Sequence, residues 1–227
     1  MTYKTDEEIR NDALFQLDWD SRLRKNDINV TVKKGVVTLT GTVDSYAKKL
    51  AAQKAAHSVR GVLDVANDIE VKITGGLRRA DPEIAQAVRH ALEWNVLVPA
   101  DSIHSTVVNG WVTLEGEVEY YSERVDAERA IGHLSGVRGV TNIIAVRAPV
   151  ESERVKFLIE DVLERRADRE AKRIRVSVDE GDVTLTGSVK SWGEKKAILG
   201  AVGHTPGVKM IHDHLFIDPY DVRFKAA

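Results

Sequence analysis

The sequence predicts an α+β protein of three tandem α-β-β-α-β modules. Each module is expected to pack two helices on one face of a small, mixed three-stranded sheet. Three observations carry this expectation. The stretch Gly35-Val36-Val37-Thr38-Leu39-Thr40-Gly41-Thr42-Val43 recurs as Gly110-Trp111-Val112-Thr113-Leu114-Glu115-Gly116-Glu117-Val118 and as Gly181-Asp182-Val183-Thr184-Leu185-Thr186-Gly187-Ser188-Val189. Its residues alternate with the period of a half-buried strand. Gly35, Gly41 and Gly61 map onto Gly110, Gly116 and Gly136 at one constant offset, and those onto Gly181, Gly187 and Gly207 at another, without internal gaps. Ile9, Ile84 and Val155 obey the same offsets, so the whole unit is repeated rather than one motif.

Each unit opens with a helix. Ile9, Ala13 and Leu17, Ile84, Val88 and Leu92, and Val155, Ile159 and Leu163 form i, i+4, i+8 stripes that face a core. Asp6, Asp81 and Ser152 are expected to cap its start, with Pro82 in a first helical turn. A strand follows, with Ile28, Val30 and Val32 inward, matched by Ile103, Ser105 and Val107 and by Ile174, Val176 and Val178; Ser105 breaks the apolar pattern. Lys34-Gly35, Asn109-Gly110 and Glu180-Gly181 turn each strand into the repeated stretch as a hairpin. Gly41, Gly116 and Gly187 stand on the inward side, where a close approach by the second helix is expected.

That helix begins near Ser45, Tyr120 and Ser191 and is lined by small residues, Ala51, Ala52, Ala55 and Ala56 in the first copy. Gly61, Gly136 and Gly207 fit helix stops. A last strand is expected at Val65–Val71, Val140–Val146 and Ile211–Ile217. The modules therefore span 1–74, 77–148 and 150–227, the last with a tail from Asp218, and the joints are Thr74-Gly75-Gly76 and Ala148-Pro149.

Composition narrows the function. Hydrophobic residues make up 43% and charged residues 30% of the 227, an ordinary mixture for a globular chain. A net charge of −2 argues against general nucleic-acid binding. The absence of cysteine removes disulfides, thiol catalysis and thiolate metal sites. The N-terminus, Met1 to Glu8, lacks the apolar core of a signal peptide, which leads to the expectation of a cytoplasmic protein, or a periplasmic one where a signal has been removed. No apolar run is long enough for a transmembrane segment. Neither a phosphate-binding glycine loop nor a recurring nucleophile is present, so the chain is expected to be non-enzymatic and to need no cofactor. His212 and His214 share one face of a strand without an evident third ligand, and are expected to be an exposed pair rather than a metal site, like His133 and His204.

The ordered pieces Ile28-Val30-Val32, Gly35, Val37-Thr38-Leu39-Gly41-Val43 and Gly61-Val62-Val65-Asn67, with their counterparts in the other two copies, resemble the BON domain, named for bacterial OsmY and nodulation proteins. Asp213 replaces the motif's final Asn in the third copy. The resemblance covers nearly the whole chain and implies two helices on a mixed three-stranded sheet. It also implies a mostly non-enzymatic family associated with envelope integrity, osmotic stress and phospholipid interaction, with a cytoplasmic branch that binds potassium. The leading expectation is weak association with an anionic phospholipid surface or an envelope protein; the alternative is a cytoplasmic potassium- or ion-responsive module.

The residues expected to meet lipid or a partner are the basic segment Arg165, Arg166, Arg169, Lys172, Arg173 and Arg175, and the second-helix entrances Tyr46, Lys48 and Lys49 and Trp192, Lys195 and Lys196. Tyr46, Tyr121 and Trp192 are repeat equivalents, and either an interfacial anchor or a packing plug accounts for an aromatic there. On the opposite sheet face of the second copy, Val108, Trp111, Ile143 and Ala145 are expected to pack on a neighbouring unit, the tail or another chain, including a second copy of the protein.

Overall fold

The computed structural model describes residues 4–23, 27–147, 151–166 and 173–219, without the side chains of Leu77, Glu164, Arg165 and Arg166. The first repeat comprises α1 (Asp6–Trp19), β1 (Ile28–Lys33), β2 (Val36–Val43), α2 (Tyr46–His57) and β3 (Asp64–Val71). The second comprises α3 (Asp81–Glu93), β4 (Ile103–Val108), β5 (Trp111–Val118), α4 (Tyr121–Ile131), β6 (Gly139–Asn142) and β7 (Ala145–Val146). The third comprises α5 (Ser152–Arg166), β8 (Ile174–Asp179), β9 (Asp182–Val189), α6 (Trp192–Gly203) and β10 (Met210–Ile217). By its contacts the chain divides into two compact units: Met1–Arg78 with Val189–Gly193 and Ile217–Ala227, and Arg79–Ser188 with Glu194–Phe216.

Each sheet is mixed and has the repeated stretch at its centre. β2 runs antiparallel to β1, with Val30 opposite Leu39, and parallel to β3, with Leu39 opposite Asn67. β5 is antiparallel to β4 and parallel to both β6 and β7, and the third sheet has the order β10-β9-β8. The helical stripes lie where their periodicity puts them: Ile9, Ala13 and Leu17, Ile84, Val88 and Leu92, and Val155, Ile159 and Leu163 are all buried. They close over Val37 and Leu39, Val112 and Leu114, and Val183 and Leu185, also buried. Ala51, Ala52 and Ala56 are buried in the first core, so small side chains bring α2 close to the sheet. The last strand of the second repeat is broken in two, and at the break Arg124 Nη2 donates to the Asn142 carbonyl at 3.1 Å.

Three expectations are corrected. Asp6 and Asp81 do not cap their helices. Thr5 caps α1, its hydroxyl accepting the Glu8 N–H at 3.2 Å while the Glu8 carboxylate accepts the Thr5 N–H at 2.8 Å. The Asp6 carboxylate instead accepts the N–H groups of Lys34 and Gly35 at 2.8 and 2.9 Å, and Asp81 does the same for Asn109 and Gly110 at 2.8 and 2.9 Å. Lys34 and Gly35 have φ of 53° and 75°, the left-handed pair of a tight hairpin turn, and such a turn points both N–H groups outward to one acceptor. Asp6→Ala should therefore cost about 1 kcal/mol and speed hydrogen exchange at the Lys34 and Gly35 amides. Unchanged exchange there would show that the bonds contribute nothing.

The inward glycines, secondly, make room for a neighbouring strand's backbone and not for the second helix. A Cβ on Gly41, Gly116 or Gly187 would overlap the carbonyl oxygen of Asp27, Ser102 or Arg173, whose carbonyl carbons lie only 3.1, 3.1 and 3.0 Å away. The three glycines share φ of 130°, 130° and 132°, a conformation that L side chains rarely adopt. In this geometry the Thr42 N–H still reaches the Asp27 carbonyl at 3.1 Å, so the ladder continues past the bend. Thirdly, Gly61, Gly136 and Gly207 lie beyond the ends of α2, α4 and α6, which stop at His57, Ile131 and Gly203. They lie in the turn into the last strand, Gly61 close to Ile9 and Gly136 close to Ile84 of the first helices.

Candidate functional site

Only part of the basic and aromatic set expected to meet lipid falls within the described residues. Arg169 and Lys172 lie outside the described residues, as do the side chains of Arg165 and Arg166, the joint Ala148-Pro149 and the tail from residue 220 onward. Arg173 is half-buried and Arg175 exposed. Lys48 pairs with Asp44 at 2.7 Å, Lys49 is half-buried, and Lys196 is exposed. Lys195 serves a different purpose. Its ammonium, on a side chain only 11% exposed, donates to the Leu215 carbonyl at 2.7 Å and pairs with Asp213 at 2.9 Å.

This pairing explains the replacement of Asn by Asp213. In the first two repeats the motif Asn donates from Nδ2 to a helix carbonyl, Asn67 to Lys49 at 3.1 Å and Asn142 to Arg124 at 2.7 Å. Lys49, Arg124 and Lys195 are repeat equivalents. In the third repeat the carboxylate takes the ammonium of that same residue, and all three acids or amides also accept an N–H two residues on: Ile69 at 3.4 Å, Ile144 at 3.3 Å and Leu215 at 3.0 Å.

The equivalent aromatics are engaged in packing. Tyr46 and Trp192 pack against the first core, and Trp192 stacks on His57 with centroids 3.7 Å apart. The Tyr121 ring lies against Gly203, where a Cβ would sit 3.0 Å from its Cδ1, and burial pushes the phenol's pKa up. His57 and Gly203 occupy corresponding positions in their helices, so the same joint is made twice within the two units. His133, His204, His212 and His214 are exposed, and His212 Nε2 lies 3.6 Å from Asp182. Among the described residues no group of three His, Cys, Asp or Glu is arranged to hold a metal, and no helix is long and apolar enough to cross a membrane.

Val108, Trp111, Ile143 and Ala145 are all exposed. The Trp111 indole lies across Gly139, whose added Cβ would be 2.6 Å from Cη2, and its Nε1–H donates to Thr141 Oγ1 at 2.8 Å. Thr141, between Trp111 and Ile143, makes this face less continuous than the sequence pattern suggests.

An apolar feature that is strongly exposed among the described residues was missed by reading periodicity. Trp94, Val96 and Leu97, in the connection from α3 to β4, are 87%, 96% and 61% exposed. Trp19, the first-repeat equivalent of Trp94, is 77% exposed and stacks with Phe15 at 5.8 Å. The only sequence signal was a pair of tryptophans at one repeat position, just past and out of phase with the buried stripes. In the first repeat the Arg22 guanidinium reaches Asp20 at 2.8 and 2.6 Å and lowers the pKa of its carboxyl to about 2. Beside the Trp94 connection a cleft of about 270 Å³ opens between the end of α3 and β4. Arg89, Glu93, Asp101, His104 and Ser105 wall it, over Ile103.

The pattern that defines the BON domain matches residues 5–73, 80–148 and 152–219. Over 124 residues, 53% of this chain and 62% of the relative, the sequence is 28% identical to Osmotically-inducible protein Y of Escherichia coli (strain K12). Over 123 residues, 53% of this chain and 80% of the relative, it is 29% identical to an uncharacterized protein in the gshII 5′ region of Anaplasma centrale. Among solved structures, the C-terminal domain of CdsD, a structural protein of the type III secretion system of Chlamydia trachomatis, aligns over 92% of this chain and 96% of its own with 13% identity and a TM-score of 0.27.

Proposed function

The chain belongs to the BON domain family, and from that premise we propose that it is a non-catalytic binding protein of the osmotic-stress type that associates peripherally with phospholipid surfaces. The carrying observation is the connection Trp94-Asn95-Val96-Leu97, which holds three large apolar side chains in water beside a folded core. Returning a Val or Leu side chain to an apolar phase contributes about 1.5–3 kcal/mol, and tryptophan is suited to the headgroup boundary because its ring is apolar and its N–H polar. The similarity to Osmotically-inducible protein Y supports the stress context. This reading adds insertion of an apolar loop to the charge attraction expected of the basic segment, whose Arg165, Arg166, Arg169 and Lys172 side chains lie outside the described residues.

Flotation with phospholipid vesicles tests the reading. The full chain should float with the vesicles, and Trp94→Ser with Leu97→Ser should weaken binding about tenfold or more without lowering the melting temperature, because both side chains are exposed. Equal flotation of this variant and the parent chain would remove the loop from the mechanism.

A further inference from the structure

We infer that the cleft beside the Trp94 connection takes the phosphate–ammonium headgroup of phosphatidylethanolamine, an inference that rests on the lipid reading above. Two departures within the repeat point to it. Ser105 stands where the first and third repeats have Val30 and Val176, so an apolar core-side position of the strand carries a hydroxyl at the cleft. Arg89 stands where the others have Leu14 and Glu160, and Leu14 packs against its own core. Both departures belong to the repeat that presents Trp94, Val96 and Leu97, and the connection leaves the helix directly after Glu93, a cleft residue.

The charges suit a zwitterion. Arg89 and Glu93 are 3.9 Å apart with side chains 76% and 47% exposed, a loose pair that each partner can leave for a ligand. The guanidinium offers a planar fork to a phosphate. Glu93 and Asp101 offer carboxylates, and Ser105 a hydroxyl, to the three N–H donors of a primary ammonium. A purely anionic headgroup would meet the Glu93 and Asp101 carboxylates against the Arg89 guanidinium, with the His104 imidazole beside them, and a choline group has no N–H to donate. A volume of about 270 Å³ is in scale with a headgroup rather than a whole lipid.

The test uses the full chain with vesicles of phosphatidylcholine alone, of phosphatidylcholine with phosphatidylethanolamine, and of phosphatidylcholine with phosphatidylglycerol, together with soluble O-phosphoethanolamine followed by amide NMR. Ethanolamine lipid should raise binding about tenfold over phosphatidylcholine, the scale of one charge-assisted hydrogen bond, and glycerol lipid should not. Arg89→Leu and Asp101→Asn should each abolish that gain, and Arg89→Lys, which keeps the charge but not the fork, should retain part of it. Vesicle binding without preference for ethanolamine lipid overturns the cleft assignment and leaves the lipid reading standing. If no vesicle binds while soluble phosphoethanolamine shifts the Ser105 amide, the lipid reading falls and the lipid source of the headgroup falls with it. Absence of both effects sinks both.

Discussion

Gly116→Val should destabilise the second repeat by about 3 kcal/mol or more, and Gly116→Ala should do nearly as much harm. The reason lies in the first atom added. A Cβ at this position would overlap the Ser102 carbonyl oxygen, and the residue would have to hold φ near 130°. A non-glycine residue forced into such a region costs about 1–3 kcal/mol, and overpacking against backbone adds about 1–3 kcal/mol more. Had a packed helix set the limit, the penalty would have grown with side-chain size, mild for Ala and severe for Val. Denaturant unfolding gives the loss, and hydrogen exchange assigns it to the β4–β5 hairpin. A well-tolerated Gly116→Ala would show that the strand relaxes away from residue 116 and that helix approach is limiting after all.

The same distinction runs through what was legible in the chain. Periodicity is local, so the stripes of Ile9, Ala13 and Leu17 and their counterparts, the alternating strands and the three hairpins could be read directly, and the family pattern follows from them. Long-range partners carry no such mark. Asp6 sits where a cap belongs, and nothing in the sequence says that its carboxylate crosses to Lys34 and Gly35. The inward glycines announce a close approach without naming what approaches. The Asn-to-Asp exchange at position 213 was visible, yet its partner Lys195 was read as a surface charge. The exposed loop was less legible than the fold for a related reason. Trp94, Val96 and Leu97 follow no helical or strand period, and among the described residues they stay 87%, 96% and 61% exposed. They follow the end of the α3 stripe at Leu92, and burial resumes only at Val98, 8% exposed.

Lys195→Ala is the second large effect expected, a loss of about 2 kcal/mol in the third repeat. Breaking a fully buried ion pair costs about 3–5 kcal/mol, and the 27% exposure of the Asp213 side chain lowers that figure by leaving water to solvate the orphaned carboxylate. The Leu215 carbonyl loses a donor as well. Asp213→Asn alone should cost about 1–2 kcal/mol, since the ammonium then loses its countercharge. The double variant should recover part of the loss. With Ala at 195 the amide is free to donate to the helix carbonyl, as Asn67 does to Lys49 and Asn142 to Arg124. A double-mutant cycle on denaturant midpoints should thus give a coupling of about 1 kcal/mol or more, and strict additivity would mean that the pair is not a unit. Vesicle binding supplies the independent arm. Because the ammonium is committed to the fold, Lys195→Ala should leave flotation of the folded protein unchanged, in contrast to the Trp94 and Leu97 substitutions. A selective loss of flotation at undiminished stability would return Lys195 to the lipid surface and invert the roles assigned to the two elements.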